Sequence, residues 1–189
     1  MDKQKYLETY FNDLRKIMDF DNKKIQDLIN VSEILLKTNN NGKKTLIFGN
    51  GGSAAIASHF SVDITKNAKI RCVNFNESDL LTCFSNDFGY EKWVEKAIEF
   101  YGDEGDSVIL ISASGESKNM TNAAEFVKKN NFKSLVTFTG NKKDNSLFKM
   151  GDINIWVDSR AYNLIENIHQ ILLLSLVDLI IGKSEYPPN

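Results

Sequence analysis

Two short segments rich in glycine and hydroxyl groups hold the residues of this chain best suited to grip an anion. The first, Gly49, Asn50, Gly51, Gly52 and Ser53, stands directly after the apolar run Thr45 to Phe48 and directly before a helical segment starting near Ala54. Glycines at such a junction let backbone N–H groups approach an anion, and the helix N-terminus adds partial positive charge. Taken alone, the segment also reads as a tight strand-to-helix turn with Ser53 capping the helix. It lacks the lysine of a P-loop and the third glycine of a dinucleotide fingerprint, so nucleotide readings are weak. The second segment, Ser112, Ala113, Ser114, Gly115, Glu116 and Ser117, also lies between an apolar run and a helix. One serine suffices for a cap, and three hydroxyls beside a glycine make a better phosphate cradle.

Groups able to move protons stand elsewhere. His59 is followed by Asp63, four residues on and therefore on the same helical face; the plain alternative for Asp63 is an exposed helix acid. Glu166 interrupts a largely apolar helix, and a buried acid has a partner or a function. His169 reads as a helix surface or interface residue, because histidine is intermediate in its burial preference.

Positioning these groups requires a particular scaffold. Apolar runs at Thr45 to Phe48, Ile70 to Phe75, Val108 to Ser112, Leu135 to Thr139 and Ile153 to Val157 read as buried strands, most of them separated by helical stretches. Strands alternating with helices imply right-handed crossovers and an α/β fold, here a three-layer αβα sandwich around a five-stranded parallel sheet. Both cradles follow strands, so they open at the carboxyl edge of that sheet, where open α/β folds bind ligands. Before the sheet, Tyr6, Leu7, Tyr10, Phe11, Leu14, Ile17 and Met18 recur at helical steps, and Ile25, Leu28, Ile29, Ile34 and Leu35 predict a second helix ended by Asn39 to Gly42. The segment from Asn163 to Ile181 is helical and apolar on most sides, which predicts burial all round, by the sheet or by the sheet together with another subunit. The two prolines, Pro187 and Pro188, break none of these elements.

The 189 residues suit one domain (1–189), comprising N-terminal helices (1–41), an α/β core (44–158) and a C-terminal helix (163–182). A formal charge of −2 gives no basic field for nucleic acid or anionic lipid, so neither is expected as a partner and any phosphate affinity is local. His169, Gln170, Ser175 and Asp178 interrupt the most apolar stretch, and no membrane insertion is expected. Two cysteines, Cys72 and Cys83, and a polar start without an apolar leader fit a reduced cytoplasmic setting.

GNGGSA at Gly49 to Ala54, then His59 and Phe60, SND at Ser85 to Asp87 followed by FGYE, and ISASGES at Ile111 to Ser117 together resemble the sugar isomerase (SIS) fold. Within it the chain resembles the phosphoheptose isomerase group, which converts sedoheptulose 7-phosphate to D-glycero-D-manno-heptose 7-phosphate through an enediol. The likeness spans almost the whole chain. It implies that Ser112, Ser114 and Ser117 hold the phosphate, with Ala113 where the family usually has threonine. Asn50, Gly51, Gly52, Ser53 and Asp87 would line the sugar, and Glu116 would face outward. Asp63 stands where the family has glutamate, while Glu166 and Leu174 stand where it has glutamine and histidine. His169 is no simple replacement for that histidine, since it points about 140° away from Leu174 on the same helix. The resemblance casts Glu166 as the proton-transfer carboxylate assisted by His59 and Asp63, with no organic cofactor required. It also allows zinc on His59, Asp63 and Glu166, a homotetramer, and a product used in lipopolysaccharide or capsule synthesis. The rival class is a SIS-fold regulator that binds a phosphosugar or another protein without catalysis, of the replication initiator-associating type. Two complete cradles favour the isomerase.

Overall fold

The computed structural model describes residues 1–186; Pro187 and Pro188 lie outside it. Asp2 opens helix α1 (Lys3–Ile17) by accepting the backbone N–H of Lys5, and Asp21 opens α2 (Asn22–Asn40) by accepting that of Lys24. Five strands follow: β1 (Thr45–Phe48), β2 (Cys72–Val73), β3 (Ser107–Ser112), β4 (Ser134–Thr139) and β5 (Ile153–Trp156). They form one parallel sheet in the order β2-β1-β3-β4-β5. Between them run α3 (Gly52–Lys66), α4 (Ser78–Phe88), α5 (Trp93–Tyr101) and α6 (Lys118–Lys129), and α7 (Tyr162–Ile181) closes the chain.

Side chains alternate along each strand and build a core on either face of the sheet. Ile47, Ile109, Ile111, Val136 and Phe138 face α2, α3 and α7, whereas Leu46, Phe48, Val108, Leu110 and Leu135 face α5 and α6. The helices that carry His59 and Glu166 therefore share one side, and α3 and α7 pack directly on each other.

Two expectations need correction. The second strand was expected over Ile70 to Phe75, but only Cys72 and Val73 pair. The backbone then leaves the sheet as the Asn74 amide donates to Ser61 Oγ (2.7 Å) and the Asn76 amide to the Ala54 carbonyl on α3 (2.9 Å). Nor does the sheet of a single chain bury α7 all round. It sinks Leu164, Ile165, Ile168, His169, Leu172, Leu173, Leu176 and Val177 into the core, while Tyr162, Ile171 and Leu179 stay exposed. Among the described residues it is the one helix long and apolar enough to cross a membrane, yet this apolar face is packed against the sheet. Helix α1 buries none of its residues, so the apolar stripe of Tyr6, Leu7 and Phe11 lies open.

Candidate active site

Both cradles form at the same edge because β1 and β3 are neighbours in register, with Phe48 opposite Leu110. At Gly49 a side chain would collide with the backbone of Ser53, which explains glycine there. Gly51, at φ +54°, is the N-cap of α3. The alternative of Ser53 as that cap is thereby corrected: Ser53 is buried inside the first turn.

In the second cradle the three serines gather. Ser112 Oγ lies 3.1 Å from Ser117 Oγ and 3.4 Å from Ser114 Oγ, and the backbone N–H groups of Gly115 and Glu116 donate to Ser112 and Ser114. Gly115, at φ +69°, leaves no room for a side chain because the Asn145 amide occupies the space. Ser117 is the N-cap of α6, but its hydroxyl makes no capping bond and turns to Ser112 instead. Glu116 is exposed, as expected, and it also latches the loop by accepting Ser146 N–H (2.9 Å) and Ser146 Oγ–H (2.7 Å). The Ser146 hydroxyl and then its N–H hold the Glu116 carboxyl below its ordinary pKa. Replacing Ser114 by alanine should weaken binding of inorganic phosphate by about 1 kcal/mol or more, the usual worth of a hydrogen bond to a charged group. Titration calorimetry that finds unchanged affinity would count against a phosphate site here.

The cradles are tied together by Asn50 and by a residue that sequence reasoning did not single out, Asn119. Asn50 and Asn119 exchange amide hydrogen bonds of 2.9 and 2.8 Å, and Tyr90 Oη donates to Asn50 Oδ1 at 3.0 Å. Asn119 is buried on the apolar side of α6. Its neighbours Lys118, Thr121 and a second amide, Asn122, gave no local signal for that role. Asp87 stays on exposed α4, accepting from the Asn86 amide (2.9 Å) and the weak Cys83 thiol donor (3.7 Å), with no bond to either cradle.

The acid and base groups line the seam of α3 and α7. Glu166 lays its carboxylate against Gly52, the first residue of α3, where a side chain would clash with it. Two turns on, His59 Nε2 faces Asp63 Oδ2 at 3.3 Å, so the shared helical face holds as expected. The other ring nitrogen, Nδ1, meets Gln170 Nε2 at 2.8 Å, a contact absent from the sequence reading. Leu174, one turn past Gln170, is half-buried.

His169 corrects an expectation. It is fully buried, with Nε2 3.1 Å from the Thr139 carbonyl and its ring edge-on to Phe138. Burial pushes its pKa down to about 4, against a smaller upward pull from the Thr139 carbonyl.

The metal reading fares differently from the cradles. Among the described residues no three His, Cys, Asp or Glu side chains gather as a ligand group. The trio of His59, Asp63 and Glu166 is in the fold a His–Asp pair plus a carboxylate drawn to Gly52, with an aliphatic Leu174 where a further donor would stand. As placed, they do not gather as the three protein donors of an open catalytic zinc site, the kind the resemblance allows.

The SIS domain family matches residues 9–140 of the chain. A phosphoheptose isomerase of Thermodesulfovibrio yellowstonii is 34% identical over 182 residues, covering 93% of this chain and 90% of that protein. The structure of the phosphoheptose isomerase of Neisseria gonorrhoeae superposes with a TM-score of 0.84 at 25% identity, covering 94% of this chain and 98% of that one. That of Francisella tularensis reaches 0.86 at 22% identity over 97% and 100% of the two chains, a likeness of fold. With its cradles, its sheet order and these relatives in agreement, the chain belongs to the SIS domain family and, within it, to the phosphoheptose isomerases.

Proposed function

We propose that the protein interconverts sedoheptulose 7-phosphate and D-glycero-D-manno-heptose 7-phosphate. The observation that carries this reading is the joining of the serine cradle to the glycine cradle through Asn50 and Asn119, with the Glu166 carboxylate seated at the first residue of α3. A phosphate bound by Ser112, Ser114 and Ser117 places the sugar over Asn50, Gly51, Gly52 and Ser53. Glu166 removes a proton from C1 of the ketose, the electron pair of that C–H bond forms the C1–C2 double bond, and the C2=O2 π pair moves onto O2, which takes a proton to give the enediol. Protonation at C2, with transfer of a proton between O1 and O2, then yields the aldose. His59 and Asp63 assist the transfer between oxygens, for which a positioned imidazole is suited.

Around this site we place a homotetramer. The open stripes on α1 and on the outer side of α7 supply apolar faces for closed, symmetric contacts. A cytoplasmic setting follows the same reading, and a heptose phosphate product feeds reactions that build surface polysaccharide.

The experiment is isomerisation in deuterium oxide. Solvent deuterium should enter C2 of the aldose, resolved by NMR and mass. Saturable binding of seven-, six- and five-carbon ketose phosphates with no exchange over hours would instead establish a binding protein.

A further inference from the structure

We propose that Gln170 is a positioning residue that anchors the His59 imidazole for proton transfer, an inference that rests on the function proposed above. Gln170 stands on the same stripe of α7 as Glu166 and Leu174, at steps of four residues. Its amide meets His59 across the helix seam at 2.8 Å. The opposite ring nitrogen faces Asp63 at 3.3 Å. An amide nitrogen only donates, so Nδ1 accepts from Gln170, and a neutral ring then carries its hydrogen on Nε2, the side that faces Asp63. Within the contacts of His59, the Gln170 amide is the donor that satisfies Nδ1.

The two contacts are unequal, a hydrogen bond to Gln170 and a charge contact to Asp63. A distance of 2.8 Å is a short, full hydrogen bond, whereas 3.3 Å is long for a contact to a carboxylate. The tight side is the anchor and the loose side is the working end. Gln170 thereby holds Nε2–H as the proton the ring can offer, in the space that Asp63 and a sugar oxygen would share. The His59 side chain is 47% exposed, and without that anchor it is free to change rotamer.

The test uses the full chain and the variant Gln170→Met, which keeps length and helix preference but removes the amide. Turnover should fall roughly 10- to 100-fold, as for a displaced catalytic group, with KM and inorganic phosphate affinity unchanged. The same substitution in a His59→Asn background should cost nothing further, since Gln170 acts through that ring. An unchanged kcat in folded Gln170→Met protein overturns the proposal, and so does an equal loss with and without His59. Independently of any variant or activity, 15N labelling should reveal coupling across the hydrogen bond between Gln170 Nε2 and His59 Nδ1, and its absence also overturns the anchor. Wild-type protein that shows this coupling but no deuterium exchange sinks the isomerase reading and leaves the bond itself established.

Discussion

Glu166→Gln should lower turnover by about 100-fold or more, the usual worth of a general base, while phosphosugar binding stays near the wild-type value. The amide has nearly the shape of the carboxylate, so it can still lie against Gly52 at the start of α3, where only the absence of a side chain on residue 52 lets it sit. Only the ability to take a proton from carbon is lost. The proper readout is kcat beside a calorimetric dissociation constant, because a change that spares binding and lowers kcat removes an interaction made in the transition state. If kcat survives, the base lies elsewhere, and Asp63 beside His59 becomes the next acid to replace. If binding and turnover fall together, Glu166 is holding the glycine cradle in shape and the chemical role is wrong.

Acid should destabilise the protein through a single core imidazole. His169 is fully buried with its pKa depressed to about 4, whereas an unfolded chain presents histidine at an ordinary value near 6.5. The unfolded state therefore binds the proton first as pH falls. The stability is whole above about pH 6.5 and is lost progressively down to about pH 4, where the loss reaches on the order of 3 kcal/mol. The physical cause is the cost of placing a cation among Phe138 and its apolar neighbours, with only the Thr139 carbonyl to receive it. Urea unfolding at pH 7 and pH 4.5 measures the effect. His169→Gln retains a donor for Thr139 and does not titrate, so it should show a distinctly shallower dependence. Glu116 and Asp103, both held below their ordinary pKa by hydrogen-bonded partners, add to the acid loss in both proteins and cancel in the comparison. Equal slopes for the two proteins would refute the assignment to His169.

The parts whose physics is local were legible in the order of residues. Alternating strands and helices imposed the parallel sheet, and β1 begins and ends where its apolar run does, at Thr45 and Phe48. Glycine spacing marked the first cradle, three serines marked the second, and the four-residue step from His59 to Asp63 put both on one face. Each depends on backbone freedom, hydrogen-bonding capacity or helical period, which are properties of a few consecutive residues.

Tertiary structure alone decided which distant groups meet. Asn50 and Asn119 are 69 positions apart, and Gln170 and His59 are 111 apart. No period in the chain encodes such pairs; they follow from which face of the sheet receives α3, α6 and α7. The same placement turned His169 inward, because it stands among Ile165, Ile168, Leu172 and Leu173 on the stripe that α7 presses into the core. It also laid the Glu166 carboxylate against Gly52, where the missing side chain leaves room for it, two turns of α3 before the place where His59 meets Asp63 and Gln170.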